Sequence, residues 1–254
     1  MSISCISPQV RELAQQTENS LYGVFKKIDE VSEACTLKVM EAFHEFRVSE
    51  ACFAGTTGYG YDDLGRDTLE NIYARVFGAQ KALVRLGFVS GTHAIGSALF
   101  AACTPNKTLL SATGAPYDTL LHTIGIEGEG YGSLKYYGVN YRQTELGKDG
   151  RPDLEAIKKA ASEDDVSAVF IQRSRGYAKR PALSVSDIGE IVSAVREVNT
   201  DAVILVDNCY GEFTETLEPC AVGADLIAGS LIKNPGGGLA PTGGYVAGRA
   251  ELVD

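Results

Sequence analysis

The 254-residue sequence predicts an α/β fold, a mostly parallel sheet with helices on both faces, preceded by a helical arm. Three observations carry this prediction. Apolar runs of strand length alternate with helical patterns from about residue 82 onward, as crossover-connected parallel strands require. The first fifty residues show helical spacing only. A chain of this length can also bury one substantial core, or one large and one small. The expected organisation is therefore an N-terminal helical arm over 1–50 and a large domain over 51–254.

Taken in order, residues 9–47 place Val24, Ile28, Val31, Cys35, Val39, Ala42 and Phe46 three or four apart, which predicts an amphipathic helix interrupted near Gly23. Residues 51–67 change to Gly, Thr, Tyr and Asp, which predicts an aromatic loop. Strands are expected at 82–86, 108–111, 141–146, 168–172, 202–206, 226–230 and 244–247. Helices are expected at about 94–102, near Leu120, at 153–161 and at 186–198, and another is expected to begin after Gly248. Ligands of such sheets bind at the carboxyl ends of the strands, so the residues just after each run are the candidates for function.

The composition excludes some classes. A net charge of -10 without a basic block argues against nucleic acid and anionic membrane surfaces as partners. The first residues lack the basic and apolar segments of a signal peptide, and no run approaches a membrane span, so a soluble cytoplasmic protein is expected. Cys5, Cys35, Cys52, Cys103, Cys209 and Cys220 form no C-x-x-C pair, which speaks against zinc and disulfides and predicts buried reduced thiols.

At the strand ends, Lys233 closes the apolar run 224–233 and is followed by Asn234, Pro235 and three glycines. Such a lysine is either an ordinary solvated side chain or an imine-forming amine, activated by desolvation. Ser90, Gly91 and Thr92 precede a helix, and form either a plain N-cap or a phosphate cradle built from free N–H groups and the helix dipole. Asp207 ends the run 202–206, where a buried carboxylate needs a cation; with three histidines in the chain, a protonated heterocyclic nitrogen suits it better than a metal. Tyr117 follows the second strand and either packs or stacks on a planar ligand. A cradle, a stacking ring, a carboxylate and an amine together are what pyridoxal phosphate needs.

The set resembles the fold type I pyridoxal-phosphate enzymes, and the chain resembles their methionine gamma-lyase-like family, also labelled cystathionine beta-lyase or aluminium-resistance proteins. The stretches that carry the resemblance are FAGTTGYGYDDLGRDTLE at 53–70, VSGTHA at 89–94 and SLIKNPGGG at 230–238. The resemblance implies the large domain of that fold, a pyridoxal 5'-phosphate cofactor, and a homodimer or homotetramer. It implies Lys233 as the imine-forming lysine, Asp207 as partner of the pyridine N–H, and Tyr210 as a hydrogen-bonding partner of the phenolic oxygen. Ser230, Gly91 and Thr92 correspond to phosphate ligands and Tyr117 to the stacking residue. Tyr59, Tyr61 and Arg66 correspond to a loop that completes a neighbouring subunit's site.

The reaction so implied is elimination of a thiol from the beta or gamma carbon of a sulfur-containing amino acid, with Lys233 as base. Arg173 and Arg175, after the strand ending at Gln172, are either substrate-carboxylate clamps or surface arginines. Family members continue into a C-terminal subdomain, so the chain is expected to be truncated, with apolar surface left uncovered. Transamination, retro-aldol cleavage, or cofactor binding without turnover remain the alternatives.

Overall fold

A computed structural model describes residues 6–57, 59, 62–85, 87–128 and 130–254. The arm is one continuous helix, α1 (Pro8–Glu45), with Ser7 capping its first turn through Val10 N–H. The expected interruption at Gly23 does not occur. A mid-helix glycine costs only about 1 kcal/mol relative to alanine, too little to break a helix of this length. Toward its C-terminal end α1 buries Cys35 and Ala42, and Ala42 packs with Ile72 and Val76 of α2 (Leu64–Phe77). Helix α2 starts inside the stretch expected to be loop, because the Asp63 carboxylate accepts from Arg66 N–H and caps it.

Seven strands follow where the apolar runs predict them: β1 (Lys81–Arg85), β2 (Thr108–Ser111), β3 (Asn140–Gln143), β4 (Val166–Gln172), β5 (Val203–Asp207), β6 (Leu226–Ser230) and β7 (Gly244–Gly248). Their order is β1-β7-β6-β5-β4-β2-β3. Strand β7 runs antiparallel to β1 and β6, and the other described pairs are parallel. Strand β3 is shorter than expected, and Leu146 instead bridges to Pro152.

Period-2 alternation sends neighbouring side chains to opposite faces. Leu109, Phe170, Leu205 and Ala228 meet α3 (Gly91–Ala102) and α4 (Asp118–Ile124) through Ile95, Leu99, Leu120 and Ile124. Val169, Ile171, Ile204, Val206 and Ile227 meet α2, α5 (Leu154–Ala161) and α6 (Val185–Arg196) through Phe77, Ile157, Ile188 and Ile191. The chain ends in a short turn of helix, α7 (Ala250–Val253).

Cys35 is buried, whereas Cys52, Cys103, Cys209 and Cys220 are only half-buried; all five are free, and Cys5 lies outside the described residues. No helix among the described residues is long and apolar enough to cross a membrane, and they hold no cluster of metal-ligating side chains.

Candidate active site

The carboxyl ends of β4, β5 and β6 bring Gln172, Asp207 and Ser230 to one edge, and there the sheet opens into a cavity of about 740 Å³. Its walls include Ser90, Gly91, Thr92, Tyr117, Asp207, Tyr210, Ser230 and Lys233, together with Arg173 and Arg175, so ten residues singled out by the sequence converge on one space. A volume within the roughly 300–1,000 Å³ of small-molecule sites is consistent with a cofactor-sized ligand.

Ser90 caps α3 by accepting from His93 N–H at 3.1 Å, so the plain capping role is realised. It does not preclude anion binding. Gly91 and Thr92 occupy the first turn, where N–H groups have no intrahelical acceptor and the dipole is positive. Gly91 also has to be glycine, since a Cβ there would lie 2.6 Å from the Ser230 Cβ. Thr119, two residues beyond Tyr117, shares a 2.9 Å hydrogen bond with Thr92 and also lines the cavity. Sequence reasoning missed it; a hydroxyl in the first turn of the next helix was the available signal.

Asp207 is 4% exposed, and its carboxylate accepts from Cys209 N–H at 3.0 Å. Burial raises its pKa, opposed by the Cys209 bonds and by the charge of Lys233. The site therefore favours a cationic group placed against this carboxylate.

Lys233 sits differently from expectation. Strand β6 ends at Ser230, and Lys233 lies on the turn after it, preceding the 3-10 turn Asn234–Gly236, half-buried rather than desolvated. Its ammonium stands 3.7 Å from the centroid of the Tyr210 ring. The turn closes tightly because a Cβ at Gly236 would lie 1.8 Å from Leu231 O.

Tyr117 precedes α4 and stacks on Tyr177, with ring centroids 5.5 Å apart and a 3.1 Å bond from its hydroxyl to that of Tyr177. That bond first, then burial, pushes the Tyr117 phenol up to about 12, so it is neutral and a donor at ordinary pH. The Tyr177 partnership, reached through the loop after β4, was not legible in the sequence.

Arg173 is not a surface residue: it lies at the cavity wall, and its guanidinium is occupied by partners within the chain. It is 2% exposed and donates to Leu183 O at 3.3 Å, Asn208 Oδ1 at 2.7 Å, Glu218 Oε2 at 3.4 Å, Thr214 Oγ1 at 3.4 Å and Glu215 Oε1 at 2.7 Å. Every face of the fork is committed, four bonds to the segment after β5 and one to Leu183 before α6. Below that segment Asn208 donates to Glu218 and to the Tyr245 hydroxyl, which in turn donates to Glu212 Oε1 at 2.9 Å. Burial pushes the Glu212 carboxyl up to about 8. Arg175 lines the same cavity as Arg173 but is exposed, without an acidic partner within salt-bridge distance among the described residues.

Tyr59 is 83% exposed and Arg66 pairs with Asp67 at 3.1 Å; neither lines the cavity of its own chain. Tyr61 lies outside the described residues.

The chain is similar to known proteins over most of its length. An uncharacterised Bacillus subtilis protein, YnbB, is 49% identical over 246 residues, 96% of this chain and 58% of YnbB. The structure of a carbon-sulfur lyase involved in aluminium resistance from Clostridium novyi superposes with a TM-score of 0.92 at 51% identity, covering 97% of this chain and 59% of that one. An L-methionine gamma-lyase from Pseudomonas putida is 29% identical over 209 residues, 80% of this chain and 46% of that protein. The chain thus spans about three fifths of the first two and under half of the third. A family model described as Methionine gamma-lyase matches residues 10–254, and the chain belongs to that family.

Proposed function

We propose that the cavity binds pyridoxal 5'-phosphate and that the protein is a carbon-sulfur lyase acting on a sulfur-containing amino acid, in the manner of a methionine gamma-lyase or cystathionine beta-lyase. The observation that carries this reading is the buried Asp207 carboxylate at the end of β5, lining the same cavity as the half-buried amine of Lys233. A carboxylate so placed is costly unless a cation meets it, and a protonated ring nitrogen fits. The Gly91 to Ser230 contact, which leaves no room for a Cβ, lets backbone N–H groups approach a phosphate.

When bound, the cofactor supplies an aldehyde carbon and a cationic ring that draws electrons from the substrate's alpha carbon. Gly91, Thr92 and Ser230 would hold its phosphate, and Asp207 would accept from the ring N–H and keep it protonated. Tyr117 would cover one face of the ring, while the Tyr177 hydrogen bond fixes the phenol that does so. Tyr210 Oη would donate to the phenolic oxygen. Lys233 Nζ is the amine that would hold the cofactor's aldehyde carbon, and it would serve as the base for the substrate's alpha proton. Of the two arginines after β4, Arg175 is the one free to meet a substrate carboxylate, since Arg173 is committed elsewhere. A second copy of the chain would bring Tyr59, Tyr61 and Arg66 to the site.

The test is the visible spectrum with added pyridoxal phosphate, followed by borohydride reduction and peptide mapping. A yellow band lost in Lys233→Ala, with the reduced adduct on Lys233, is expected. A colourless wild-type protein at saturating cofactor refutes the reading. Product analysis with methionine, cystathionine and cysteine then distinguishes thiol release from amino transfer.

A further inference from the structure

Tyr210 has a left-handed backbone with φ 67°, a conformation sterically disfavoured for any residue with a Cβ and kept only where its surroundings impose it. Two hydrogen bonds from one side chain are placed to impose it. Asn234 Nδ2 donates to Tyr210 O at 3.2 Å and to Glu212 O at 2.8 Å. Asn234 directly follows Lys233, so this amide joins the turn after β6 to the turn after β5. Lys233 N–H in turn donates to Ser230 O at 3.2 Å, which anchors the lysine's backbone to the end of β6. The outcome is the placement of the Lys233 ammonium 3.7 Å from the Tyr210 ring centroid, where the ring quadrupole attracts it.

We infer that Asn234 is a positioning residue, whose side-chain amide ties the two turns together and holds the Lys233 amine at rest against the Tyr210 ring. Asparagine suits the task because a single NH2 group offers two donors to two carbonyl oxygens. Aspartate would set acceptors against acceptors, and alanine would leave both carbonyls without this donor. The amine has to leave the ring before it can attack an aldehyde, so Asn234 sets where that movement begins. The assignment of this movement to imine formation rests on the proposed function; the tie itself does not.

The experiment uses the cofactor-free chain, trace-labelled with acetic anhydride at fixed pH. Lys233 modification is read by mass spectrometry against the exposed Lys26 in the same sample. Asn234→Ala is expected to raise Lys233 labelling by about two- to fivefold, the range set by an exposed cation–π contact. Tyr210→Leu should raise it similarly, and the double variant no further. Unchanged Lys233 labelling in a folded Asn234→Ala protein, or a double variant whose effects multiply, overturns the inference. Should Asn234→Ala fail to fold, Asn234→Leu, which keeps the bulk at this exposed position and removes both donors, takes its place, and unchanged Lys233 labelling there overturns the inference. Cofactor trapping on wild-type Lys233 is a separate arm, and its failure counts against the proposed function while leaving the labelling result to judge the tie.

Discussion

Replacing Glu212 by glutamine should make the protein more stable at alkaline pH and leave it nearly unchanged in acid. Glu212 is completely buried, accepts from the Tyr245 hydroxyl through Oε1, and its Oε2 has no hydrogen-bond partner among the described residues. Burial, the largest cause, lifts its carboxyl from an ordinary value of 4.5 to about 8, with Glu218 and Asp207 adding to the rise. A folded-state pKa above the unfolded one means that the fold prefers the protonated acid. The stability it allows is complete below about pH 4.5 and is lost as pH rises toward 8. At about 1.4 kcal/mol per pH unit, the gap amounts to roughly 5 kcal/mol when fully developed, and to about 3 kcal/mol near neutrality. Glutamine keeps the shape and the neutral charge of the protonated acid, so Glu212→Gln removes the titration and little else. Urea denaturation of both proteins at about pH 3.5, 7 and 8.5 should show midpoints that coincide in acid and diverge upward, the variant being the more stable. A difference that stays flat across this range, or a variant weaker at every pH, would refute the reasoning.

The committed guanidinium and the tight glycine make two more predictions. Arg173→Met should lower stability by about 3–5 kcal/mol, because Glu218 would lose its buried cation; a variant of native stability with only weakened substrate binding would restore the clamp role. Gly91→Ala should destabilise by about 1–3 kcal/mol in urea melts, since its Cβ and that of Ser230 cannot both fit, and it should weaken phosphate binding in parallel. Unaltered melting of this alanine variant would show that α3 shifts freely away from β6.

Much of this architecture was legible in the residues. All seven strands were predicted within a few residues; β2, β4, β5, β6 and β7 are buried on both faces and need little but apolar side chains, whereas the edge strand β3 is polar and is the one whose bounds differ most. Ser90, Asp207 and Lys233 were legible for a related reason: they stand where such runs stop, and a polar residue at that border has to meet something. Thr119 went unnoticed because its hydroxyl looks like that of any helix-start threonine until Thr92 is placed beside it. Arg173 was misjudged because its ligands lie 35 to 45 residues further along the chain, at Asn208 and Glu218. The orientation of β7 was equally hidden, since its ladder with β1 and β6 pairs residues distant in sequence.

By itself the sequence determined the alternation of layers, the set of residues at the sheet's carboxyl edge and the family to which they point, because period, composition and motif are local properties. Only the tertiary structure decided which of those residues share a cavity, which arginine is already bound, and what the lysine rests upon. Hydrogen bonds and burial join β4, β5 and β6 through residues tens of positions apart, and local spacing carries no record of such pairings.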